Sequence, residues 1–238
     1  MSLSATELSV QKAFCGNCNC YHTLAREPAM DAAKDLMACM DSVLSTDYLY
    51  GEARGKMFGV LVCRTPEGKT KTLKAFSGQY NGQWEMSGWV PPLFETQDFN
   101  ALNNPVEKEI KALGREAAKT TSDESCRNAI LLKRKQLSQQ LMKDIHALYR
   151  LNNFNEEQCS LFDLFTKKRG IPTGTGDCCA PKLLNYAAIH KLQPLGIAEF
   201  YWGKTNRSAS KHEGKFYLAC ENKCGPILGF LLCGLTDD

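Results

Sequence analysis

The chain has 238 residues, 43% hydrophobic and 23% charged, enough for one sizeable core or one core plus an elaboration. A net charge of +3, from 29 basic and 26 acidic residues, gives no general argument for nucleic-acid binding and leaves only a local basic patch for such a partner. No apolar run approaches a membrane span, so a membrane partner is excluded as an expectation.

The opening MSLSATELSVQKAFC has neither the basic start nor the apolar core of an export signal. Glu7 comes early and no arginine precedes Arg26, which also speaks against an import peptide, so a reducing, cytoplasmic location is expected. There, 12 cysteines read as buried thiols, metal ligands or catalytic groups rather than as a disulfide framework. With that many, any one Cys–Cys spacing arises about 0.6 times by chance, so context must decide.

In chain order, residues 1–23 form a cysteine-rich segment, with Cys15, Cys18, Cys20 and His22 as its densest ligand cluster. Four ligands so close can hardly surround one zinc, but three of them could, or they could join ligands from elsewhere; a tail with incidental thiols is the other reading. Met30, Ala33, Leu36, Met37, Met40 and Val43 recur at helical spacing between Glu27 and Leu44. Met57 to Arg64 and Thr70 to Phe76 read as a hairpin around Thr65-Pro66-Glu67-Gly68, the first strand apolar on both faces and therefore internal to a sheet. A loop rich in Gly, Trp and Pro follows, with one short strand expected around Trp84; Trp84 and Trp89 read more simply as caps on the core than as exposed aromatics.

From about Asn104 to Leu151 the composition becomes that of long charged helix, with Leu137, Leu141, Ile145 and Leu148 on one face. Residues 97–168 are accordingly read as a helical insertion within a single domain spanning 1–238. The LLKRK run, Leu131 to Lys135, reads as a solvated face rather than a phosphate contact. The loop Thr173-Gly174-Thr175-Gly176 then feeds a helix from about Ala180 to Lys191, Leu195 to Trp202 reads as a buried strand, and a basic loop at 204–215 leads to Cys220, Cys224 and an apolar helix. Cys63 and Cys233 read as core residues. A Cys–His hydrolase would have only His212 as its downstream base. The order strand, strand, helical insertion, helix, strand, helix is an α/β arrangement of helices on a small mixed sheet.

Cys178 stands at the start of one helix, and Cys220 and Cys224 at the start of the next, with a buried strand between. Two helix starts on one sheet edge would bring the three thiols to one cation. Helix N-termini favour the thiolate, the form that binds zinc. Three protein ligands with an open fourth position is the pattern of a catalytic zinc. Gly174 and Gly176 would offer backbone N–H groups to a phosphate, and Lys182 a positive charge; a plain chain reversal is the competing reading.

This layout resembles the zinc deaminase fold, in which a His/Cys-x-Glu motif opens one helix and a Pro-Cys-x-x-Cys motif opens the next after a strand. Cys178-Cys179-Ala180 would stand for the first motif and Ala219-Cys220-Glu221-Asn222-Lys223-Cys224 for the second. The chain has Ala180 where that family has its proton-shuttling glutamate, Pro181 if the register moves to Cys179, and a second motif one residue longer without its leading proline. A substitute acid/base would come from Asp177 or Glu199, the nearest carboxylates; alternatively Asp177 caps its helix and Glu199 pairs with a lysine. GKMFGVLV, LKAFSGQ, GWVPPLF, GTGDCCAPKLL, AEFYWG and FYLACENKCGPIL also resemble the N-terminal extension of some bacterial pseudouridine synthases of the large-ribosomal-subunit and transfer-RNA type, from about His22 to Gly234. The synthase domain is absent, so that resemblance implies an RNA-related context only.

Two functions stay open on the sequence. One is a zinc-dependent, deaminase-like hydrolase acting on a nucleobase, nucleotide or RNA. The other is a non-catalytic, zinc-stabilised or RNA-binding accessory module using the Trp84/Trp89 loop, Lys182 and the 204–215 loop.

Overall fold

The computed structural model describes residues 10–120, 123–165, 170–221 and 223–235. Its first element is a hairpin that the composition hides: β1 (Val10–Cys15) pairs antiparallel with β2 (Cys20–Ala25). Gln11, Ala13 and Cys15 alternate inward with the period of two that a half-buried strand requires, although polar neighbours mask the pattern. The helix expected between Glu27 and Leu44 is broken into pieces. A 3-10 turn, Glu27–Ala29, precedes α1 (Met30–Ala38), and Cys39 departs from helical geometry before α2 (Met40–Val43). A short α3 (Asp47–Tyr50) follows.

The expected hairpin is present as β3 (Lys56–Arg64) and β4 (Thr70–Phe76), with Phe58 opposite Phe76. No strand forms at Trp84; the nearest pairing is an isolated bridge between Tyr80 and Gln83. Trp84 is 9% and Trp89 8% exposed. Trp84 meets Phe94 and Phe99 edge-on at 4.9 and 5.0 Å, so aromatic packing rather than strand pairing orders this loop.

Two long helices, α4 (Thr96–Lys119) and α5 (Glu124–Leu148), form an antiparallel pair in the stretch read as an insertion. Leu141 and Ile145 are buried, and Lys133 of the basic run pairs with Glu109 at 3.1 Å on an open surface. Two short strands, β5 (Leu151–Asn152) and β6 (Gln158–Cys159), and α6 (Leu161–Leu164) lead to α7 (Cys179–Ile189). The chain then crosses the sheet as β7 (Gln193–Trp202), adds β8 (Phe216–Tyr217) and ends its described elements with α8 (Gly225–Leu232).

The main sheet has the order β4-β3-β7-β8. Its architecture is the expected α/β one, helices on both faces of a small sheet. All three pairings are antiparallel rather than mixed, because β3 is flanked by its hairpin partner and by a strand that returns in the opposite direction. Alternation along β3 divides the core. Phe58, Val60 and Val62 face α1 together with Phe200 of β7. Leu61 and Cys63 face Leu183, Leu184 and Ala187 of α7. Position 59 on that second face is glycine, and this absence of a side chain is what seats the site.

Candidate metal centre

A Cβ at Gly59 would lie 2.6 Å from the Cβ of Cys179, so the bare backbone of β3 lets the first turn of α7 settle directly on the sheet. Cys179 points inward, fully buried, and its thiol donates to the Met57 carbonyl at 3.3 Å. Cys178, one residue earlier, has extended backbone as the N-cap and is turned the other way. From the far side, Cys220 and Cys224 bracket a turn in which the N–H groups of Cys224 and Gly225 both donate to the Cys220 carbonyl, at 3.2 and 3.0 Å. Cys224 is the N-cap of α8.

The sulfurs of Cys178, Cys220 and Cys224 lie within 4.8 Å of one another, with Cys178 and Cys220 at 3.9 Å. Sulfurs around a tetrahedral zinc, each about 2.3 Å from it, stand about 3.8 Å apart, so this donor set fits that ion. Cys179 is not part of the group. The three thiols share protons unevenly. Hydrogen bonds from Cys178 and Cys224 hold Cys220 well below the usual thiol range, while the bond to Cys220 raises Cys178. At Cys224 the bond from Cys178 lowers the thiol, but the bond to Cys220 and burial outweigh it and push it up to about 12. One sulfur is thus ready to be the thiolate that a cation needs first.

Glu199 comes from β7, directly opposite Gly59 in the register. Its side chain is buried, and its Oε1 accepts the N–H of Ala180 at 2.6 Å. Burial raises its carboxyl to about 7 against the helping Ala180 hydrogen bond, with the Cys220 charge adding to the rise. Asp177 does not cap α7: its Oδ1 accepts the Tyr149 hydroxyl at 2.6 Å, and its own burial raises its carboxyl despite that bond.

The remaining expectations are redistributed. Lys182 is turned into the core, 1% exposed, because its ammonium donates to the carbonyls of Phe76 and Gly78 at 3.0 and 2.9 Å and lies 4.9 Å from the Phe76 ring centre. It serves the end of β4, not the glycine loop. Gly174 and Gly176 both have left-handed backbone, φ 78° and 89°, and a Cβ at Gly176 would strike the Tyr149 ring at 2.8 Å. The loop is therefore a tight reversal packed on Tyr149, with Thr175 buried and bonded to the Pro172 carbonyl at 2.7 Å. His212 is exposed and belongs to neither group of metal-competent residues, and Asn222 of the second motif lies outside the described residues.

No family model, no curated protein and no solved structure matches this chain. Among the described residues no helix is long and apolar enough to cross a membrane.

A second group was half legible in the sequence: Cys15, Cys18 and His22 belong to the expected ligand cluster, and Cys233, read as a core residue, is the donor from elsewhere. Cys15, Cys18 and His22 come together with Cys233, 215 residues from Cys18, again within 4.8 Å. Cys233 is buried as expected of a core residue, but it is buried against ligands. Spacing could not have found it; only the docking of α8 on β1 could.

Proposed function

We propose that the Cys178/Cys220/Cys224 centre is a zinc-dependent hydrolytic site that removes an amine from a nucleobase, free or carried in a nucleotide or RNA, with Glu199 in the proton role. The observation that carries this reading is the buried Glu199 carboxylate on the N–H of Ala180. The deaminase resemblance expects a glutamate at position 180; here the carboxylate reaches the same helix turn from β7. Zinc would supply Lewis acidity at the one coordination position the cysteines leave open. A carboxyl poised at about 7 can take the proton of an attacking water. It can then return that proton to the departing nitrogen as the carbon–nitrogen bond breaks and ammonia leaves. Three thiolates over-neutralise a divalent cation. Lys211, half-buried and 3.9 Å from the Tyr217 ring centre, feels the charges of Glu199, Cys220 and Cys178 and would supply positive charge toward them, which suits a phosphate-bearing substrate.

The competing reading, a zinc-stabilised module without catalysis, draws on the way the three sulfurs tie the starts of α7 and α8 together. Its RNA-binding version loses most of its surface, because Trp84, Trp89 and Lys182 are all buried. Only the 204–215 loop remains for it.

Ammonia release from cytosine- and adenine-containing nucleosides, nucleotides and RNA, measured with zinc-loaded protein, separates the readings. Glu199→Gln should keep its zinc and lose activity about 10²–10⁴-fold, the usual worth of a general acid/base. Full activity in that variant, or no ammonia from any of these substrates with the zinc in place, would overturn the hydrolytic reading.

A further inference from the structure

We propose that Cys15, Cys18, His22 and Cys233 form a second, closed zinc centre that clasps the N-terminal hairpin to the C-terminal end of α8. This rests on residues separate from the first centre and does not depend on its chemistry.

The donors are delivered by rigid elements. In β1 and β2, Cys15 faces Cys20 and Ala13 faces His22, so directly opposed side chains put Cys15 and His22 on one face of the hairpin. Phe14 and Tyr21, also opposed, form an edge-on pair at 5.3 Å on the other face. The turn between the strands carries Cys18 back over the Cys15 face, with Asn19 in left-handed backbone at φ 55°. The Cys18 sulfur then lies 3.1 Å from His22 Nε2 and 3.8 Å from the Cys233 sulfur; the Cys20 sulfur is 3.0 Å from Cys18 and 3.7 Å from His22 Nε2 but does not reach all the others and is not in the group.

The fourth donor arrives by a close helix–strand contact. Gly229 of α8 lies against the backbone of Phe14, and a Cβ there would also be 2.7 Å from the Cys15 nitrogen. One helical turn further on, Cys233 caps the C-terminus of α8 beside Cys15. Its carbonyl accepts the Phe154 N–H at 2.9 Å, and the amide of Asn155 donates to its sulfur at 3.6 Å, the kind of outer support that fixes a ligating thiolate. Three sulfurs and one imidazole complete a Cys3His tetrahedron and leave no open position, the hallmark of a structural rather than a catalytic zinc. The 3.8 Å separation of Cys18 and Cys233 equals the edge of such a tetrahedron. The need is also physical, since a two-stranded hairpin is marginal in water and, among the described residues, this one has no third strand.

The consequence is that α8 is held at both ends by metal. Cys224 is its N-cap and Cys233 its C-cap, so the closed centre fixes the far end of the helix that presents Cys224 to the open one.

Zinc content of the full-length protein, purified without chelator, tests this. Wild type should carry two equivalents, Cys18→Ser one and Cys220→Ser one, while Cys20→Ser keeps two. If only the second centre exists, wild type carries one, which Cys18→Ser loses and Cys220→Ser keeps. Cys18→Ser at the wild-type zinc content overturns the proposal. So does loss of a zinc from Cys20→Ser with retention in Cys233→Ser, because the ligands would then all be local. Iodoacetamide labelling of wild type read by mass spectrometry avoids any folding defect of a variant. Cys18 is exposed, as is Cys126, yet only Cys18 should be protected until the zinc is removed by chelator. Equal labelling of both in the zinc-loaded protein would also overturn it.

Discussion

Gly229→Ala is the sharpest probe of how α8 is held. An added Cβ would collide with the carbonyl of Phe14 and lie 2.7 Å from the Cys15 nitrogen. Ordinary heavy-atom contact is about 3.5 Å, so helix and strand must separate by about 0.8 Å at the least. The obstacle is backbone, which cannot rotate aside as a side chain would. Alanine gains about 1 kcal/mol of helix propensity over glycine, but overpacking against a fixed wall costs typically about 1–3 kcal/mol, so the clash wins. The larger consequence is positional. Metal–ligand distances tolerate only about 0.2 Å, a quarter of the forced shift, and Cys233 is one turn from the collision. Gly229→Ala should therefore lose the zinc proposed for Cys15, Cys18, His22 and Cys233 and keep the one proposed for Cys178, Cys220 and Cys224. Its urea midpoint should fall, and amide exchange should accelerate in β1 and β2 before β3 and β7. A variant with two zincs and wild-type stability would show that the close approach at Gly229 does not control the clasp.

Other predictions follow from buried polar groups. Tyr149→Phe removes the hydroxyl that donates to Asp177 and leaves that half-buried carboxylate short of a partner, which should cost about 1 kcal/mol in denaturant unfolding; an unchanged midpoint would mean that another donor takes over. Burial lowers Lys182 from 10.5 to about 8, so the folded state gives up this proton before the unfolded chain does. Stability referable to Lys182 is therefore complete above about 10.5 and is lost as pH falls through about 8, a difference on the order of 3 kcal/mol. Wild type minus Lys182→Met, measured by urea unfolding across that window, should show the slope; a flat difference would refute the assignment.

The sequence carried the central hairpin openly, since the continuous apolar run of β3 and the Pro-Gly turn after it are local signals. It also carried the meeting of Cys178 with Cys220 and Cys224, because two helix starts flanking one buried strand can be placed by topology alone. What it hid was set by tertiary contact. Lys182 looked like a surface cation at a helix start; two strand-end carbonyls and an aromatic face hold it inside. Glu199 was one of two candidate carboxylates on the sequence, and what the sequence could not show is that it stands opposite Gly59 and accepts the Ala180 N–H. Trp84, expected on a strand, is ordered by Phe94 and Phe99 from further along the chain.

The two cysteine groups differ in what they can do because of ligand number, and that difference was beyond the reach of spacing. Cys15, Cys18, Cys20 and His22 are the denser cluster in sequence, yet they need Cys233 to make a complete shell. A full shell has no position for a substrate and only holds chain together. Cys178, Cys220 and Cys224 are spread over 47 residues and, among the described residues, stop at three donors, with the Glu199 carboxylate on the N–H of Ala180, two residues after Cys178. On the proposed reading, the group dense in sequence is the staple and the scattered one the chemistry. Helix α8 links the two: Cys224 and Cys233 are nine residues apart, which at 1.5 Å per residue sets their backbones roughly 14 Å apart along one helix axis. Chelating the closed centre should therefore loosen the placement of Cys224 without removing a single ligand of the open one.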